Sequence, residues 1–284
     1  MNLGFTSWNY EEEIIFGQHD VFSLMETAKK LGCTSIEFMG YHLASIDDDY
    51  LLSVKKKAAE LGLHISAIDV RNMSMGEVWF KMRQDVVAMK FWTKAAATLG
   101  CPILGVFLGK YAKVEDHQAQ LDKDVEIFKE CLEFASKYGI KFGIENHRIY
   151  ITDKAVDPDE GELADLEYVL GKVNSSALGS VPDTDNFFRR QYPDLTEEER
   201  ARNLQHFDAL MKHANHVHIK VKNTDQGEGR MQYPMKPLAQ IFKKHNYNGD
   251  ITFEFMKPLK EDKDAVIKAN LDALKQELEA LGVD

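Results

Sequence analysis

Apolar residues along this chain keep one of two periods, and the switch between them recurs. Val21, Leu24, Met25, Ala28 and Leu31 fall three and four positions apart while Lys29 and Lys30 lie off that face, which is the stripe of an amphipathic helix. Directly after it, in KKLGCTSIEFM, the pattern tightens into a short apolar run that reads as a buried strand. The same succession of helix, glycine and strand returns in AELGLHISAID, ATLGCPILGVFL and SKYGIKFGIE. Gly32, Gly62, Gly100 and Gly139 are therefore expected in the left-handed conformation that closes a helix, where a side chain would be strained.

Similar helical stripes cover roughly 48–61, 78–99, 118–138, 161–173, 196–213, 235–245 and 262–281. Candidate strands occupy about 2–6, 34–38, 64–69, 102–107, 140–144, 178–182, 215–220 and 250–255. Eight strand–helix units in 284 residues average about 35 residues each, a natural length for a strand, a helix and two loops. The expectation is an α/β fold, a (β/α)8 TIM barrel forming a single domain over residues 1–284. An open doubly wound sheet shares the alternation, but the first strand–helix junction, FTSWNYEEEI, lacks the glycine-rich phosphate fingerprint of dinucleotide-binding folds.

Composition narrows the partners. A hydrophobic fraction of 44% suffices for a large core, and a net charge of −11 argues against nucleic acid or an anionic membrane, since phosphate binding needs clustered cations. Cys33, Cys101 and Cys131 have no zinc-like spacing and read as reduced core thiols. The start, MNLGFTSWNY, enters a strand at once, and no stretch approaches the roughly 18 apolar residues of a membrane span. A cytoplasmic protein is expected.

The stretch KFGIENHRIY, at 141–150, turns abruptly from apolar to Glu145, Asn146, His147 and Arg148. In a barrel, chemistry gathers where strands end, and three further strands carry metal-competent side chains there: Asp183 in VPDTDNFF, His218 in HVHIKV and Glu254 in ITFEFM. The successive intervals from Glu145 are 38, 35 and 36 residues, one unit each. Two Glu, one Asp and one His are mostly hard oxygen donors that suit Mn²⁺, Mg²⁺ or Co²⁺ better than a structural thiolate zinc site. Each alone has an ordinary reading. Glu37 is equally a rim ion-pair partner, and His216 or His218 a hydrogen-bonded core histidine.

With these motifs in view, the chain resembles the xylose isomerase-like TIM barrels over essentially its whole length. The resemblance rests on IENH at 144–147, PDTDN at 182–186, HVHIK at 216–220 and TFEF at 252–255. It implies that Glu145, Asp183, His218 and Glu254 bind one divalent metal, Mn²⁺ first, with Mg²⁺, Co²⁺ or Zn²⁺ as alternatives. The endonuclease branch carries extra histidines at strand ends, where this chain has Asp69 and LGVFLGK. The ketohexose 3-epimerases usually have His at the position of Asn186 and a glycine-acid pair at Ile219 and Lys220. The H-x-K form looks more like the broad isomerase, dehydratase and lyase branches.

The resemblance implies a sugar or sugar-phosphate isomerase or epimerase that removes a proton beside a carbonyl through an enediolate. Glu145 and Glu254 would exchange that proton on opposite faces of the substrate. In the alternative, a lyase acting on keto-sugars, keto-inositols or 3-keto-glycosides, His147 is the base. A non-catalytic carbohydrate-binding barrel is the third reading. Lys220, Asn186, Trp8 and Arg148 are the expected substrate contacts, with Asn146 and Arg148 also placed to orient carboxylates. Trp8, Tyr10, Trp79, Phe80, Phe187 and Phe188 are candidate pocket walls, and Arg189, Arg190, Lys222 and Arg230 candidate phosphate contacts. Many such barrels form dimers or tetramers, so a homo-oligomer is an expectation of the resemblance too.

Overall fold

The computed structural model describes residues 1–70, 79–109, 116–147, 158–186, 196–221, 235–255 and 262–283, with side chains described for all of these except 79–82 and 158–161. Strands and helices alternate along the chain: β1 Asn2–Thr6, α1 Glu11–Ile15, α2 Val21–Leu31, β2 Ser35–Met39, α3 Asp48–Leu61, β3 His64–Asp69, α4 Trp79–Leu99, β4 Ile103–Val106 and α5 His117–Ala135. They continue with β5 Lys141–Glu145, α6 Pro158–Val173, β6 Leu178–Val181, α7 Glu197–Leu210, β7 Val217–Val221, α8 Met235–Lys244, β8 Asp250–Phe255 and α9 Lys263–Ala280. Among the described strands and α-helices, only α1 lies outside the expected set. It has five residues, EEEII, none of them buried, so it presents no apolar stripe from which to be read.

Local chemistry accounts for the helix ends. Asp20 and Ser23 cap the start of α2 reciprocally, and Gly32 closes it at φ 81°, while Thr196 and Glu199 do the same at the start of α7. Gly62, Gly100 and Gly139 also take positive φ, 67°, 81° and 69°. The buried face of α2 is Val21, Leu24, Met25, Ala28 and Leu31, the stripe visible in the sequence.

All strand pairs are parallel, in the order β6-β5-β4-β3-β2-β1-β8-β7. The seam between β6 and β7 is narrower, made by the parallel bridges Ser180↔Ala214 and Asp183↔His218. Backbone hydrogen bonds from Asn215 to Ser180 (2.9 Å) and from His218 to Pro182 (3.0 Å) close the ring there. The barrel therefore closes at the position of Asp183 and His218.

Side-chain alternation sorts each strand into two faces. Phe5, Ile36, Phe38, Phe142, Ile144, Val217, Ile219, Val221, Ile251, Phe253 and Phe255 join the helices in one continuous apolar core. The intervening positions are mostly small or polar, among them Gly4, Ser35, Glu37, Gly143, Glu145, His218, Lys220, Thr252 and Glu254, with Ile103 and Val181 as apolar members beside Gly143. Gly143 is required by packing, since a Cβ there would lie 2.6 Å from Val181 Cγ2. Most oily side chains are thus spent on the sheet–helix layer, and the face toward the barrel axis carries most of the polar groups. Cys33, Cys101 and Cys131 are separate buried thiols. Among the described residues, no helix is long and apolar enough to cross a membrane.

Candidate metal centre

Four consecutive strands bring Glu145, Asp183, His218 and Glu254 to one place at the barrel mouth. One donor atom from each lies within 4.8 Å of all the others, and all four side chains are buried. His218 Nδ1 is 3.7 Å from Glu145 Oε1, 4.0 Å from Asp183 Oδ2 and 3.3 Å from Glu254 Oε2. Donors about 2.1 Å from a common centre stand roughly 3 Å apart at neighbouring positions and about 4 Å at opposite ones, so this spacing and this mix of carboxylate oxygens with one imidazole fit a divalent cation.

The backbone that carries these ligands is held by side-chain amides. Asn146 Oδ1 accepts from the Asp183 amide at 2.7 Å while its Nδ2 donates to the Asp183 carbonyl at 3.2 Å, which extends the β5–β6 pairing by one side chain. Asp183 Oδ1 accepts from the Asp185 amide at 2.8 Å. That leaves Oδ2 as the oxygen turned to the centre. Asn9 plays the same part for the last strand, donating to the Phe253 carbonyl at 3.0 Å and accepting from the Phe255 amide at 2.8 Å. It thereby brackets Glu254. In the sequence an Asn after a strand reads as a turn residue, so Asn9 carries no local signal of this part.

Glu37 lies inside the barrel. Its carboxylate accepts from His218 Nε2 at 3.0 and 3.1 Å, and His216 Nε2 is 3.2 Å from it and 2.9 Å from Thr252 Oγ1. A carboxylate on Nε2 fixes the ring and turns Nδ1 toward the other three acids. The only hint in the sequence was a charged residue amid the apolar run SIEFM.

Burial works against ionisation of Glu37, but His218 and His216 outweigh it and hold the carboxyl well below the usual range. Burial also opposes charging of His218, yet the carboxylates around it, Glu37 first and then Glu145 and Glu254, raise its pKa well above 6.5. Glu145 is held low against burial by the nearby His218 imidazole and the Lys220 charge. Asp183 moves the other way, because burial, with Glu145 and Glu254 adding to it, exceeds the pull of Lys220.

The other expected contacts divide. Asn186 donates to Glu145 Oε1 at 2.8 Å, and Lys220 Nζ lies 2.8 Å from Glu254 Oε2 and 3.0 Å from Asp183 Oδ2. His147 is half-buried, edge-on to Phe107 with ring centres 5.3 Å apart, and is outside the four-residue cluster. The Trp8 indole donates to the Phe255 carbonyl at 3.2 Å, which ties the first loop to the strand of Glu254. Tyr10 does not wall a pocket: it is buried in the core, packed on Phe5, with its hydroxyl donating to Asp264 at 2.6 Å. Arg148, Phe187, Phe188, Arg189, Arg190, Lys222 and Arg230 lie outside the described residues, as do the side chains of Trp79 and Phe80.

Glu37→Gln is expected to weaken Mn²⁺ binding by roughly ten- to a hundred-fold, the usual effect of removing a group that orients a ligand. Calorimetric titration measures it. Unchanged affinity would remove Glu37 from the ligand-orienting role.

A closed parallel barrel with three acids and a histidine gathered at its strand ends belongs to the class of (β/α)8 proteins with a cation-competent mouth. The chain belongs to the xylose isomerase-like TIM barrel family, whose model matches residues 25–277. Among solved structures it is similar to D-psicose 3-epimerase from Clostridium cellulolyticum H10, with TM-score 0.74 and 17% identity over 98% of this chain and 99% of that one. It is also similar to 3-keto-D-glucoside 4-epimerase from E. coli, with TM-score 0.68 and 16% identity over 97% and 99%. An L-ribulose 3-epimerase aligns with TM-score 0.71 and 17% identity over 98% and 95%. No protein of curated function matches the sequence.

Proposed function

We propose that this protein is a divalent-metal-dependent isomerase or epimerase of sugars or sugar phosphates. The observation that carries the reading is the convergence of Glu145, Asp183, His218 and Glu254 within 4.8 Å, in a fold shared with enzymes named as epimerases of psicose, ribulose and a 3-keto-glucoside. A bound cation would supply charge stabilisation for a substrate's carbonyl and neighbouring hydroxyl oxygens, which makes the adjacent carbon acidic enough to deprotonate.

The protein's own groups then move the proton. Glu145 on β5 and Glu254 on β8 reach the mouth from strands separated by two others, so a substrate between them presents a different face to each. One carboxylate takes the proton and the other returns one to the opposite face. Asn186, hydrogen-bonded to Glu145, fixes the orientation of that carboxylate. Lys220 is placed to donate to a substrate oxygen. Depth keeps water away, because each of these side chains except Asn186 is buried.

His147 supports a second reading. It lies two residues beyond Glu145, remains half-buried beside Phe107, and an imidazole has an ordinary pKa suited to proton transfer near neutrality. As the base of a lyase it would lead to elimination of water or of an aglycone.

NMR in D₂O with Mn²⁺-loaded protein and panels of ketoses, ketose phosphates and 3-keto-glycosides tests the choice. The expected result is deuterium at one carbon beside the carbonyl together with the epimeric or isomeric sugar. An unsaturated product or a released leaving group would establish the lyase instead, and neither outcome across the panel would leave a binding protein.

A further inference from the structure

We propose that Lys220 is a tethered cation that competes for the metal's own oxygen ligands and so lowers the affinity of the site. This rests on the reading of the cluster as a metal site. Lys220 Nζ is 2.8 Å from Glu254 Oε2, 3.0 Å from Asp183 Oδ2 and 3.9 Å from Glu145 Oε1. These are the same three oxygen atoms that converge on His218 Nδ1. One set of oxygens therefore faces both the imidazole nitrogen that would complete a metal site and a fixed ammonium.

The placement comes from the strands. His218 and Lys220 alternate with Ile219 on β7, so both side chains leave the same face, and Lys220 pairs with Glu254 across β7–β8. The Lys220 amide donates to Thr184 Oγ1 at 3.0 Å, and the Thr184 amide donates to the His218 carbonyl at 3.2 Å, which fixes the root of the side chain beside Asp183. Its side chain is 3% exposed, so the ammonium is shielded from bulk solvent and its charge is felt strongly.

Two effects of opposite sign result. The ammonium holds three crowded acids together in the metal-free protein, where their mutual repulsion would otherwise oppose folding. Against a divalent cation it is a like charge on shared oxygens, so binding must overcome repulsion and part of the existing pairing. A lysine serving only the substrate would alter neither property. A lysine that orients the ligands would, when removed, weaken the metal.

The test is Mn²⁺ binding to purified wild type, Lys220→Met and Lys220→Arg, followed by the electron paramagnetic resonance signal of free Mn²⁺, with Tm recorded before and after metal. Lys220→Met is expected to bind Mn²⁺ roughly ten- to a hundred-fold more tightly, to melt lower without metal, and to show a larger rise in Tm with it. Lys220→Arg, which keeps the charge, should stay near wild type. Should Lys220→Met fail to fold without metal, Lys220→Gln carries the same comparison. Affinity unchanged or weakened by loss of the charge would overturn the inference while leaving the metal site standing, whereas no Mn²⁺ binding in wild type and variants alike would sink the metal reading itself.

Discussion

Asp183→Ala and His218→Ala should each abolish divalent-ion binding, whereas wild-type protein should hold about one ion per chain, as the four-residue donor set at the strand ends implies. The size of the effect comes from burial. Each substitution removes a donor that no solvent-exposed neighbour can replace, and the three acids left by His218→Ala lose the imidazole that completes the set. Metal analysis after dialysis reads the result directly, and undiminished occupancy in both variants would reject the site. The pH dependence has a definite sign. His218 and Asp183 both have raised proton affinity, so protons compete with the metal, and affinity should fall as pH is lowered and recover as it rises. Binding should also release protons, measurable by calorimetry in buffers of differing ionisation enthalpy.

Glu254→Gln should retain most of the metal yet lose turnover by roughly three orders of magnitude or more, because an amide oxygen still coordinates but cannot accept a proton. In a two-base epimerase His147→Gln costs far less. In a lyase using an imidazole base the order reverses, and the pH–rate profile loses an ionisation near neutrality when His147 is replaced. Equal and minor losses in both variants, with metal retained, would dismiss both proton-transfer assignments and leave a binding protein. The geometry bears on the expectation: Glu254 lies in the four-residue cluster, and His147 stands outside it against Phe107.

Much of this architecture was legible because its signals are local. The helical stripe of α2 and the left-handed glycines after α2, α3 and α4 are properties of a few neighbouring residues, and they held position by position. The one-unit spacing of Glu145, Asp183, His218 and Glu254 also reads directly, since each unit of a barrel returns the chain to the same rim. The misreadings concern residues whose partners are distant in sequence. Tyr10 looked like a pocket aromatic until its hydroxyl met Asp264, 254 residues away. Strand ends shifted by a residue or two, as at β7, which begins at Val217, because ladder pairing rather than apolarity sets where a strand starts.

By itself, then, the sequence determined the alternation of elements, the glycine closures and which four metal-competent side chains share a rim. Tertiary structure alone decided what surrounds them: that Glu37 from β2 grips His216 and His218, that Asn146 and Asn9 hold the backbone on either side of the centre, and that Lys220 shares its three oxygens. The physical reason is that propensity and periodicity act over one or two turns of chain, whereas a side chain inside a closed barrel is oriented by strands that meet only after the ring has closed at Asp183 and His218.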